Sequence, residues 1–210
     1  MKTIRNWQFK QQNNNEIILS CDDKHTLHLF VLENHLIRVL FQRHNTLRLD
    51  RTWMVAPDGN DVPWEGRDRM SLEGFTLPTF VLYENQDTLC IETDKLRLTV
   101  HQPLWMEWEH KVNGEWKPLT KDRKTGAYQL GVSEPGIAHF MNRSDNERYY
   151  GLGEKTGNLN REAVVLKCAT SMQWVMTPVR PTRCTNMFLS ISLKRPLMKV
   201  AHRLVSFMTT

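Results

Sequence analysis

The sequence predicts an all-β chain, an antiparallel β-sandwich over residues 1–162, followed by an irregular tail over 163–210. Three observations carry this. Short apolar runs with period-2 character recur between turn signals. No segment of useful length before 162 repeats at a helical period. Composition breaks after Glu162: none of the 23 Asp and Glu and none of the 10 Gly lies beyond it.

The elements follow in order. Thr26 to Leu32 reads as a strand, Glu33-Asn34 as its turn, and His35 to Phe41 as the returning strand. Leu29 to Leu32 is continuously apolar, which fits a sandwich strand with little exposure. Residues 42–78 hold Pro57, Asp58-Gly59, Pro63, Gly66, Gly74 and Pro78, and read as loop-rich with weak strands. Phe80 to Tyr83 and Thr88 to Thr93 are the next strands, separated by polar Glu84 to Asp87. Asp94-Lys95 turns into Leu96 to Val100, which alternates cleanly. Trp105 to His110 pairs with Glu115 to Lys117 across Asn113-Gly114, the strongest hairpin signal in the chain.

The net charge of +5 over 210 residues hints at nucleic acid, but its distribution does not. Residues 1–162 hold 21 of the 28 basic residues against all 23 acidic ones, so that part is slightly acidic. The tail's basic residues, with Trp174 and Phe188 among them, are scattered, not clustered. No nucleic-acid partner is expected. Cys21, Cys90, Cys168 and Cys184 show no CxxC spacing and read as reduced thiols of a cytoplasmic protein. Met1 to Lys10 has no apolar h-region, and no apolar run reaches membrane-spanning length, so neither a signal peptide nor a membrane partner is expected.

Several constellations look functional and have plainer readings. Gly151 to Gly157 is spaced GxGxxxG, which matches neither the dinucleotide fingerprint nor a phosphate loop, and reads as a turn-rich strand exit. Glu107 and Glu109 share one strand face, whereas a glycosidase needs two carboxylates converging from different elements. His25 and His28, three apart, fall on opposite faces with no third metal ligand at a recognisable spacing. Trp53, Trp64, Trp105, Trp108 and Trp116 could form a sugar-stacking platform; packing is the commoner role, and Trp53 and Trp64, in the loop-rich region, are the better surface candidates. No residue is assigned as catalytic, substrate-binding or metal-ligating, and no cofactor is implied.

Tyr149 to Arg161 resembles the Y-G-L-G-E-K-T-G-x-L-x-R segment of glycoside hydrolase family 31. The Leu36 to Val39 strand and the run from Leu96 to Leu104 support the resemblance less specifically. It implies a galactose-mutarotase-like β-sandwich preceding a (β/α)8 barrel. It also implies retaining hydrolysis of α-glycosidic bonds by two aspartates at barrel strand ends. Nothing here matches that barrel, so no catalytic residue carries over.

The tail has its own explanation. Re-read one frame away with permitted codons, Lys167 to Pro178 spells KMRNVDAMGYDA, and Pro181 to Ser192 permits DPLYKHVPFYIS. Both strings resemble the family's continuation. The expectation is a frameshift between about Arg161 and Val164, an incomplete sandwich and an unstructured tail. Three functional readings compete: an inactive N-terminal fragment of a cytoplasmic α-glucosidase-like enzyme, a stand-alone carbohydrate-binding module, and an interaction protein with a basic tail. As a fragment its affinity for carbohydrate would be weak or nil; the sequence leaves oligomeric state open.

Overall fold

The computed structural model describes residues 2–47, 49–53, 55–131, 137–143, 147–148, 150, 160 and 207–208. Among them run β1 (Lys2–Thr3), β2 (Trp7–Asn13), β3 (Glu16–Cys21), β4 (His25–Glu33), β5 (Leu36–Gln42), β6 (Arg51–Thr52), β7 (Arg67–Asp68) and β8 (Val81–Glu84). They continue as β9 (Thr88–Glu92), β10 (Leu96–His101), β11 (Trp105–Val112), β12 (Glu115–Lys121), β13 (Tyr128–Leu130), β14 (Ile137–His139) and β15 (Phe207–Met208). No helix among the described residues is long and apolar enough to cross a membrane.

Two five-stranded sheets form the body, ordered β12-β11-β10-β9-β8 and β15-β5-β4-β3-β2. β2 to β5 and β8 to β12 are antiparallel meanders, the topology that short hairpin turns allow. The hairpin between β11 and β12 shows why. Asn113 and Gly114 both take positive φ, 54° and 85°, which a two-residue turn of matching twist requires.

Alternation then decides the core. Leu27, Leu29 and Val31 of β4 and Ile37, Val39 and Phe41 of β5 face Leu89, Ile91, Leu98, Val100, Met106 and Trp108 of the other sheet. Fully burying one such side chain stabilises by roughly 1.5–3 kcal/mol, so this layer holds the two sheets together.

The other face of the β2–β5 sheet is also covered. Phe30, Leu32, Leu36 and Leu40 pack against Val55 and Phe75, which belong to the excursion between β5 and β8. That double cover is why Leu29 to Leu32 is continuously apolar. The excursion is loop-rich, with the two-residue pair β6–β7 and 3-10 turns at Arg43–Asn45 and Pro57–Gly59.

The structure departs from the sequence reading in two places, the β4–β5 turn and the strands before β4. The β4–β5 turn is Asn34-His35, because the β4–β5 register shifts between Val31 and Glu33 and keeps Glu33 in the strand. Glu33 is buried there, accepting from the Asp58 amide at 3.2 Å and facing His35 at 3.3 Å. β2 and β3 stand before the first anticipated strand. In the tail, Phe207 and Met208 run parallel to Val39 and Leu40. The rest of 163–210 lies outside the described residues.

Candidate functional site

The candidate site is a small hairpin on the excursion. β6 and β7 pair Arg51 with Asp68 and Thr52 with Arg67. Trp53 follows β6 and Gly66 precedes β7, so the indole lies over Gly66. A Cβ on Gly66 would meet the Trp53 ring at 2.8 Å, and its φ of 74° favours glycine. Trp53 Nε1–H donates to the Trp64 carbonyl at 2.9 Å, and Arg51 Nη1 donates to the Gly66 carbonyl at 3.1 Å. The Gly66 amide closes a turn onto the Pro63 carbonyl at 2.8 Å.

These bonds hold the Trp53 ring and the Trp64 backbone at the surface, where Trp53 is 51% exposed and Trp64 91%. A half-exposed indole with its N–H bonded, and a second exposed indole eleven residues on in the same loop, offer flat apolar area next to polar groups, which suits the C–H face of a ring with hydroxyls at its edge. The opposite face of the hairpin is different. Thr52 is buried, and Arg67 turns inward over the Phe75 ring at 4.9 Å.

The remaining tryptophans are structural. Trp108 is fully buried in the core, and Trp105 is buried with His101 stacked on it at 3.8 Å. Trp116 lies under two cations, Arg97 at 4.3 Å and Lys111 at 5.0 Å.

The carboxylate pair takes the plain reading. Glu109 accepts from Arg97 Nη1 at 3.2 Å, and Arg97 also holds Glu92 at 2.9 Å. Glu107 faces His101 at 3.6 Å. Both glutamates lie on the polar outer face of one sheet, and Glu92, which joins Glu109 on Arg97, is tied up in the same ion-pair cluster.

His25 and His28 sit on opposite faces, as their spacing requires. Nδ1 of His25 accepts from the His44 amide at 3.0 Å, and Nδ1 of His28 meets Glu16 at 2.7 Å. Desolvation lowers the His25 pKa, and His44 beside it adds to the effect. Among the described residues no three His, Cys, Asp or Glu are placed to hold a metal. Gly151 to Gly157 lies outside the described residues, as do Cys168, Cys184, Trp174 and Phe188. Burial pushes the Cys21 thiol up to about 12 and raises that of Cys90, which keeps both as inert thiols.

One cluster gave no sequence signal. Asp122, fully buried, meets His139 Nε2 at 2.8 Å and accepts from the Met106 amide at 3.0 Å. Tyr128 stacks on His139 at 4.6 Å, and burial raises its phenol well above the usual range. The group pins the ends of β11, β12 and β14 together, a positioning role.

Comparison with known proteins agrees with this architecture. An isomaltotriose complex of the GH31 dextranase from Flavobacterium johnsoniae superposes with a TM-score of 0.57 at 20% identity, over 77% of this chain and 18% of that one. A glucose complex of the same dextranase gives 0.55 at 19% identity, with the same coverage of both chains. The GH31 α-xylosidase from Xanthomonas citri gives 0.52 at 16% identity, over 72% of this chain and 16% of that one. The chain thus spans less than a fifth of these enzymes, and at such identities the likeness concerns the fold. No curated protein matches. The profile of the glycosyl hydrolase 31 N-terminal galactose mutarotase-like domain matches residues 26–174, well over half of the chain. On that match the chain belongs to the glycosyl hydrolase 31 N-terminal galactose mutarotase-like domain family.

Proposed function

We propose that this chain is the N-terminal sandwich of a cytoplasmic α-glucosidase-like glycosidase, and that by itself it hydrolyses no α-glycosidic bond. The family match over 26–174 carries this reading. Hydrolysis needs an acid and a nucleophile about 5–5.5 Å apart on either side of the bond. Glu107 and Glu109 are instead held by His101 and Arg97. The test is an aryl α-glucoside assay of purified chain. Turnover above a buffer blank that survives repurification would overturn the proposal.

The finer part of the proposal concerns the tail. The loss of all acidic residues and glycines at one point, together with family-like strings one frame away, supports a frame change near Arg161. The family match runs to residue 174, and only Phe207 and Met208 of the tail join a described strand. Correcting the frame by one nucleotide should raise solubility and, if the downstream sequence encodes a barrel, yield α-glycosidase activity. An early stop in the corrected frame would sink the frame-change account and leave the fold assignment intact.

A second reading, carbohydrate binding by the sandwich itself, is favoured by the exposed Trp53–Trp64 pair. The probe is isomaltotriose, the sugar bound by the dextranase, titrated against intrinsic fluorescence. Saturable quenching that Trp64→Ala reduces about tenfold in affinity supports it; quenching unchanged in that variant places any binding elsewhere.

A further inference from the structure

Arg38 sits mid-strand on the outer face of β5, between Leu36 and Leu40, with its guanidinium 4.3 Å over the Phe30 ring. It is only 5% exposed. Its Nε and Nη2 are buried without a hydrogen-bond partner, as are Nη1 of Arg67 and Nε2 of His28. Buried arginines are normally paired, because an uncompensated buried charge costs several kcal/mol.

Among the described residues no acid fills the gap. Glu16 and Asp68 both attract Arg38, but neither lies within ion-pair distance. Glu16 is spent on His28 at 2.7 Å, and Asp68 accepts the Met70 amide at 2.7 Å. Arg67 is the strongest charge acting on Arg38, and it is repulsive. Arg67 itself uses Nη2 on the Glu73 carbonyl and leaves Nη1 free. Two guanidinium groups, each laid on an aromatic ring of the same apolar cluster, thus converge under the excursion with unused donors.

We infer that Arg38 and Arg67 form a binding site for a carboxylate. A carboxylate has the flat, two-oxygen geometry that accepts parallel N–H bonds from a guanidinium fork. It would bridge the two arginines and neutralise their repulsion. The cover above them is held by a two-residue ladder and by the apolar contacts of Val55 and Phe75, so a carboxylate enters when the excursion opens locally. The carboxylate comes either from a free small acid or from an Asp or Glu side chain of a second copy. This site lies on the inner side of the hairpin, away from the exposed tryptophans, and is independent of the sugar reading.

The experiment uses the full chain, with sodium acetate replacing chloride at constant ionic strength. Melting temperature and sedimentation are measured for wild type, Arg38→Met, Arg38→Lys and Trp64→Ala. Acetate should raise the wild-type melting temperature saturably. Arg38→Met should bind acetate at least about tenfold more weakly, the size of one lost charge-assisted bond, and Arg38→Lys should fall between, keeping the charge without the fork. Trp64→Ala should respond as wild type does, which separates this site from sugar binding. Acetate acting on a monomer assigns the free acid; acetate that dissociates a dimer assigns the side chain of a second copy. A wild type indifferent to acetate in both measurements, or an Arg38→Met response equal to wild type, would overturn the site. Should Arg38→Met fail to fold, Arg67→Met serves as the second variant under the same criteria.

Discussion

Arg97 and Arg38 occupy comparable positions on the outer faces of the two sheets, and their surroundings differ in every respect that matters. Arg97, on β10, stands in register between Glu92 of β9 and Glu109 of β11 and bonds both. It remains partly exposed, Trp116 lies under it, and its two carboxylates raise its pKa. Arg38, on β5, stands opposite Phe30, has no acid at bonding distance among the described residues, and is pulled down to about 10, by desolvation first and Arg67 second. The same residue type is a surface clasp on one sheet and an unbalanced charge on the other. What separates them is the cover: solvent reaches the β8–β12 face, while the excursion seals the β2–β5 face.

The largest effect should come from removing the ring beneath Arg38. Phe30→Ala takes away a buried aromatic that holds both the guanidinium and the excursion's apolar cluster. Unfolding by denaturant should show a loss of about 3–5 kcal/mol. A loss below 1 kcal/mol would mean that the excursion contributes little cover.

The two arginines should then respond with opposite signs. Arg38→Met replaces an unpaired buried charge with an apolar side chain of similar length and should stabilise the chain by about 1–4 kcal/mol in acetate-free buffer. Arg97→Met removes two partly exposed ion pairs and should destabilise it by less than about 1 kcal/mol. Chemical denaturation of both variants side by side settles the comparison. Destabilisation by Arg38→Met would mean that Arg38 already has a counter-ion.

This contrast marks how far the sequence could be read. The strands β4, β5 and β9 to β12 were legible because Leu96, Leu98 and Val100, or Leu27, Leu29 and Val31, keep an inward period of two. The Asn113-Gly114 hairpin was legible from turn chemistry alone. β2 escaped because only Trp7 of Trp7–Asn13 is buried, and an edge strand of Gln and Lys has no apolar face to recognise. β3 does alternate, with Ile17, Leu19 and Cys21 inward, so its strand pattern is present in the sequence. At the candidate site, two tryptophans in a Pro- and Gly-rich stretch were enough to mark Trp53 and Trp64. Arg38 carried no mark, because its lack of a partner arises from the excursion folding over it, a contact between residues about thirty apart. Asp122 and His139 were illegible because they meet only through a fold contact between residues seventeen apart.

The smallest effect is a pH dependence, and it again distinguishes the two sheets. His25, buried at the start of β4, accepts the His44 amide on Nδ1, so protonation would both charge a desolvated ring and remove that acceptor. Around it stand His44, Lys2 and Arg43, which oppose protonation, and Asp22, which favours it without reversing the shift. A histidine whose folded pKa lies below its unfolded value of about 6.5 binds fewer protons when folded. The slope of unfolding free energy with pH is then positive, so this contribution is complete above about 6.5 and is lost as pH falls below it. His101, on the outer face of the other sheet, is lowered by desolvation but faces Glu107 at 3.6 Å, which pulls it back. Melting curves between neutral and mildly acid pH should therefore show wild type losing stability relative to His25→Gln, and less so relative to His101→Gln. Parallel pH profiles for wild type and His25→Gln would show that the His25–His44 contact does not resist protonation, and would place the acid sensitivity of the sandwich elsewhere.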